Sequence, residues 1–130
     1  MLFWVILLLV VGLLAFIRLA PSDPARWHQP VTAQADKDMA SGAIRVLPGD
    51  AATLARLKEI ALQTPRTEVL AGSVEEGRIT FVTRSKVMGF PDYTTADLQD
   101  EQLRLFARLR FGKSDLGVNA KRLEGWLAQL

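Results

Sequence analysis

The chain has 130 residues, 49% of them hydrophobic, a formal net charge of +2 and no cysteine. That length supplies one domain and little more once an apolar segment is subtracted. The missing cysteines exclude disulfides, thiolate metal sites and a thiol nucleophile, and the near-balanced charge makes no case for nucleic acid.

Leu2 to Ile17 carries no charged or polar side chain, and Arg18 is the first charge. A bilayer-crossing helix needs about 20 apolar residues, with a range of about 17–25. Met1 to Ile17 is at the short end, and Arg18 can extend it by snorkelling towards the headgroups. Pro21 and Pro24 stop the helix, because neither donates a backbone hydrogen bond. Trp4 and Trp27 fall near the two expected interfaces. A cleaved signal needs a basic leading region and a small-residue cleavage site. Here no Lys or Arg precedes the run, and Ile17-Arg18-Leu19 lacks the small residues. A buried core helix is the third reading, but a small domain could not cover a helix that is apolar all round. Residues 1–20 are therefore predicted to be a single-pass membrane anchor with lipid as its partner. By the positive-inside rule Arg18 and Arg26 favour a cytoplasmic domain, although two arginines leave the side of the membrane open.

Residues 21–43 read as a linker, with Pro21, Pro24, Pro30, Ser22, Ser41 and Gly42 and no sustained period. His28, the single histidine, reads as a solvated or interfacial residue. With no second His or Cys it makes no metal site.

The domain is predicted over residues 44–130. Ala43 to Leu47 is a short strand, Pro48-Gly49 a turn and Asp50 a helix N-cap. Leu54, Leu57, Ile60 and Ala61 recur at helical spacing up to Thr64-Pro65. Thr67–Val74 and Arg78–Val87 are strands joined at Glu75-Glu76-Gly77, with Gly77 left-handed. Tyr93–Leu98 and Leu103–Phe111 follow. A two-residue loop at Asp100-Glu101 pairs Gln99 with Gln102, Asp97 with Arg104 and Tyr93 with Arg108. Along the last strand Leu103, Leu105 and Ala107 alternate with Arg104, Phe106 and Arg108, so one face is core and the other basic. Leu123, Trp126, Leu127 and Leu130 mark a closing helix. The fold class is α+β: an N-terminal transmembrane helix, then a small antiparallel meander with two helices packed on one face.

The most distinctive string is Gly112-Lys113-Ser114-Asp115-Leu116-Gly117-Val118-Asn119, followed by Arg122. Arg84, Phe90-Pro91-Asp92-Tyr93 and Phe106-Ala107-Arg108-Leu109-Arg110 precede it. Together these resemble the bacterial family called domain of unknown function 1499, over about residues 44–130. Ser114, Asp115, Leu116, Gly117, Val118, Asn119 and Arg122 match its S-D-L-G-V-N-x-x-R pattern position by position. Leu19-Ala20-Pro21-Ser22-Asp23-Pro24 also looks like membrane-anchored members from alphaproteobacteria. The resemblance implies no established activity and no cofactor.

Three roles compete for this string. As a structural corner, Ser114 and Asp115 satisfy nearby backbone groups, Gly117 turns the chain and Asn119 caps the final helix. Arg122 then pairs with Asp115 or a carbonyl, Val118 staples onto Leu123, and Leu116 and Val118 pin the corner to the sheet. As an anion site, Arg84, Arg108, Arg110, Lys113, Ser114, Asp115, Asn119 and Arg122 surround a phosphate, carboxylate or lipid headgroup. As an enzyme, Asp92 and Asp115 form a carboxylate pair, although no Ser-His-Asp set, P-loop or metal-ligand spacing accompanies them. The function expected is a membrane-anchored envelope protein, a non-enzymatic module binding an anionic ligand or a protein partner through a basic sheet face. The alternative is an enzyme acting on an envelope component. A pocket lined by Asp92, Arg84 and Arg108 with one carboxylate buried is its signature, whereas an open basic sheet face marks the binding module.

Overall fold

Helix α1 (Leu2–Leu19) opens the chain in the computed structural model, which describes all of residues 1–130. It is long and apolar enough to cross a membrane, and its side chains are exposed almost throughout. Burial begins in its last turn, at Ile17, and continues at Ala20.

The segment expected as a linker is instead part of the domain's packing. It holds a four-residue helix, α2 (Pro24–Trp27), capped by Asp23, whose carboxylate accepts from the Ala25 N–H at 3.0 Å. It ends in an edge strand, β1 (Lys37–Met39). Trp27 and Val31 are buried. The proline-rich composition hid this because α2 is one turn and β1 three residues. Neither is long enough to show a period.

The remaining elements fall close to the expected positions: β2 (Gly42–Pro48), α3 (Ala51–Gln63), β3 (Thr67–Ser73), β4 (Arg78–Arg84), β5 (Pro91–Gln99), β6 (Gln102–Leu109) and α4 (Val118–Leu127). Asp50 caps α3 in a capping box with Thr53, accepting from its N–H at 2.9 Å. The sheet is six-stranded and antiparallel, in the order β1-β2-β6-β5-β4-β3. Strands β3 to β6 form the meander. Strand β2 adds on the outside of β6, so α3 carries the chain across the sheet from β2 to β3. The β5–β6 register is the one expected: Gln99 opposite Gln102, Asp97 opposite Arg104 and Tyr93 opposite Arg108. Asp100 and Glu101 both adopt positive φ, 53° and 59°, as a two-residue hairpin loop of the twist-matching kind requires.

Helices α3 and α4 pack on one sheet face. Leu54, Leu57, Ile60 and Ala61 of α3, with Leu123 and Trp126 of α4, bury Ile79, Phe81, Ala96, Leu103, Leu105 and Ala107. Trp126 meets Phe81 edge-on at 5.9 Å and donates its indole N–H to Thr64 Oγ1 at 2.8 Å. The aromatic payload is thus buried with its polar tip satisfied.

The opposite, arginine-bearing face is covered by residues 20–36, which lie across it as a strap. Trp27, expected at a membrane interface, stacks on Tyr93 at 4.0 Å and 17°. Arg108 donates to the Trp27 carbonyl at 2.6 Å and to Thr95 Oγ1 at 2.9 Å. Arg104 donates to the Ala33 carbonyl at 2.9 Å and Arg110 to the Pro21 carbonyl at 3.0 Å. Asp97 is buried, not exposed. It accepts from the Val31 N–H at 2.9 Å and pairs with Arg78 at 3.2 Å rather than with Arg104. His28 is also held rather than solvated, between Thr80 Oγ1 at 2.8 Å and Glu76 Oε1 at 2.9 Å. A Cβ at Gly72, whose φ is +90°, would lie 2.6 Å from the His28 ring, so glycine is needed where the strap meets β3.

Candidate functional site

Helix α3 stops at Gln63, ahead of Pro65, and α4 starts at Val118. Between these ends the last row of the sheet is left uncovered on its helical side. That row is Thr83, Asp92 and Leu109, which are direct cross-strand neighbours. It floors a pocket of about 590 Å³ walled by Phe90 and Phe111, Arg66 and Arg84, and the Ser114–Arg122 corner. A second pocket of about 580 Å³ shares Thr64, Pro65, Arg66, Arg84 and Ser85 with the first and adds Arg18 and Lys86.

The two shared arginines hold each other. Arg66 Nε donates to the Arg84 carbonyl and the Arg84 N–H to the Arg66 carbonyl, both at 3.0 Å. Arg66 sits at φ 58°, a left-handed conformation that disfavours a branched or bulky side chain and is enriched at functional sites. Arg84 also donates to the Gly89 carbonyl at 2.9 Å and the Ile17 carbonyl at 3.4 Å. Arg18 donates to the Val87 carbonyl. Every one of these partners is a neutral carbonyl. Arg18, Arg66, Arg84 and Lys86 make no ion pair, while the chain's ion pairs engage His28, Arg45, Arg56, Arg78 and Arg122. Across the two pockets five basic side chains face three carboxyl groups, Glu68, Asp92 and Asp115.

Two of those carboxyl groups are engaged in the corner. Asp115 accepts from the Gly117 N–H at 2.9 Å, the Asn119 N–H at 3.1 Å and Asn119 Nδ2 at 2.9 Å. Its own N–H reaches the Ala40 carbonyl at 2.8 Å, tying the corner to the β1–β2 turn. Asn119 is not the N-cap. Gly117, at φ 80°, holds that position, and Asp115 satisfies the first free N–H groups of α4. Asn119, the second residue of α4, is fully buried and accepts from Arg122 Nη1 through its Oδ1. Arg122 and Asn119 Nδ2 both lie 3.4 Å from Asp92 Oδ2. Burial raises the Asp92 pKa above 3.8. The Arg122 charge opposes this and the neighbouring Asp115 adds to it. Leu116 and Val118 do not pin the corner to the sheet, because both are exposed. Leu116 adopts φ 55°, which turns its side chain outward.

Of the residues expected to surround an anion, Arg84, Ser114, Asp115 and Arg122 line this pocket and Asn119 supports it from beneath. Lys113 is exposed in the same loop. Arg108 and Arg110 lie on the other face, clasping the strap, and burial brings the Arg108 guanidinium down to about 10. Asp92 and Arg84 therefore share the pocket, but Arg108 does not join them. Sequence reasoning missed Arg66, Lys86 and the place of Arg18 on the wall of the second pocket. They are scattered along the chain, and only the left-handed turn after Pro65 and the exit of α1 bring them together.

No curated protein matches the chain. The profile of one family, described as "Protein of unknown function (DUF1499)", matches residues 17–130. The match starts in the last turn of α1 and takes in the strap, the sheet and both pocket-forming helices, well ahead of the start expected near residue 44. From Ile17 onward, strap and pocket included, the chain belongs to this family of unknown function.

Proposed function

We propose that the protein is a single-pass membrane protein of the cell envelope, held by α1, whose domain binds an anionic ligand in the paired pockets without transforming it. One observation carries the binding role. Arg18, Arg66, Arg84 and Lys86 converge on the pockets with no carboxylate partner. Cations left unneutralised in a concave site attract anions and concentrate them there. The uncharged run of α1 from Leu2 to Ile17 supports the anchor, since water is a poor solvent for a stretch of helix that is apolar on every side.

The test is calorimetric titration of the full-length protein, in an uncharged detergent, with glycerol phosphate. Saturable binding that weakens as salt rises is expected, with Arg66→Glu losing at least tenfold in affinity. No saturable heat, or equal affinity in the Arg66→Glu variant, overturns the reading.

A second reading is favoured by Asp92 alone. A carboxyl group lining a pocket, with its pKa raised by burial, is suited to general acid–base work. Neither Ser114 nor Ser85 is hydrogen-bonded to a carboxylate or histidine, and both hydroxyl oxygens accept backbone N–H bonds. If Asp92 is an acid–base group, Asp92→Asn abolishes turnover of a pocket ligand and leaves its affinity intact. If the site only binds, no turnover of glycerol phosphate or a phosphodiester is seen in either protein.

A further inference from the structure

The pockets begin where α1 ends. Arg18, in the final turn of α1, lines the second pocket. Arg84, on the wall common to both, donates to the carbonyl of Ile17 in that same turn. Phe16 packs edge-on against Phe111, at 6.1 Å between ring centroids, and Phe111 walls the first pocket. The site is therefore partly built from the helix that we read as the membrane anchor, within a few residues of where that helix stops.

The loops around this exit are apolar at their tips. Val87 and Met88, in the turn after β4, are 74% and 39% exposed, and Leu116, in the corner after β6, is 92% exposed. Both loops leave the same end of the sheet, because β4 and β6 run parallel to one another on either side of β5. Lys86 and Lys113 are exposed beside them. Single exposed apolar side chains need no explanation on a soluble surface. Apolar tips flanked by lysines, at the end of a domain from which an apolar helix emerges, match the layering of a membrane interface.

We propose that the paired pockets take the phosphate-bearing headgroup of an anionic lipid drawn from the bilayer that holds α1. The headgroup lies among Arg18, Arg66, Arg84 and Lys86, and the acyl chains stay in the membrane on the Phe16–Phe111 side. This rests on the anion-binding reading and adds the source of the anion. A free phosphate compound has the same charge chemistry, but it would gain nothing from a site placed at the helix exit.

The experiment uses the full-length protein in lipid nanodiscs, read by thermal unfolding. Discs of phosphatidylcholine alone are compared with discs in which one lipid in five is phosphatidylglycerol. Glycerol phosphate or inorganic phosphate is added at millimolar concentration to phosphatidylcholine discs as the free-anion arm. A melting temperature higher by several degrees in the phosphatidylglycerol discs is expected, with a smaller shift from the free anions. Lys86→Glu, an exposed substitution that keeps the fold, should remove most of the lipid shift, and Arg66→Glu should remove all of it. Arg66→Lys should retain part. A shift from free anions with none from phosphatidylglycerol overturns the lipid source and leaves the anion site standing. No shift in any arm overturns both. A lipid shift unchanged in both charge reversals places the lipid elsewhere and overturns the proposal.

Discussion

At the scale of single residues, the corner after β6 differs from a simple cap. Asn119 is fully buried and bridges Asp115, Arg122 and Asp92. Asn119→Ala should cost about 1–3 kcal/mol, because it strands buried partners rather than one exposed N–H. Chemical denaturation of parent and variant measures this, and a change under half a kcal/mol would remove Asn119 from the network. Asp92 adds a pH dependence of definite sign. Its folded pKa is raised, so the folded state holds its proton more tightly than the unfolded chain does. Stability from this residue is therefore lost as pH rises above 3.8 through the folded value. The melting temperature of Asp92→Asn relative to the parent should rise between pH 3.8 and neutrality, and a flat difference would show that Asp92 titrates normally. Thr94 Oγ1 is buried with no hydrogen-bond partner, one register step from Asp92 on the same face of β5. Thr94→Val keeps the shape and removes the unsatisfied hydroxyl, so a gain of about 1 kcal/mol is expected in the same measurement.

At the scale of elements, the strap is the feature the sequence concealed. It has no long apolar run, and its order comes from arginines and one aspartate projecting from strands far along the chain. Asp97 is the centre of this arrangement, holding the Val31 N–H, Gln99 and Arg78. Asp97→Ala breaks a buried ion pair and should destabilise by about 3–5 kcal/mol. Trp27→Ala removes a buried aromatic stacked on Tyr93 and should cost a similar amount, about 3–5 kcal/mol. A cooperative melt with both variants near the parent would mean that the strap is peripheral. The β5–β6 hairpin is the contrasting case. Its register was legible because leucine and alanine alternate with charge, and a one-residue slip would send Leu103 and Leu105 to the wrong face. The same alternation identified a basic face, but the expectation that this face lies open to bind a ligand or partner is overturned, because the strap's carbonyls occupy Arg104, Arg108 and Arg110. A row of arginines reads alike whether it meets water or the carbonyls of another segment.

At the scale of the whole molecule, α1 and the domain are joined through Arg84, Arg18 and Phe16 rather than by a free tether. If α1 is an anchor, the protein sediments with membranes and stays there through high-salt washing. Most of it appearing in the soluble fraction, with Met1 still present, would contradict that. The sequence alone determined the apolar helix, the α+β class, the two helices on one face and the positions of the main strands. These follow from local periodicity and turn chemistry, which each stretch of chain carries within itself. It also named Arg84, Ser114, Asp115 and Arg122, which line one pocket, and the last three belong to one short motif. Only the tertiary structure decided that Arg108 and Arg110 serve the strap, that Arg18, Arg66 and Lys86 face one another, and that Leu116 points outward. Those outcomes depend on which distant segments meet and on left-handed turns at Arg66 and Leu116. Such contacts are set by the packing of the whole chain, and neighbouring residues carry no trace of them.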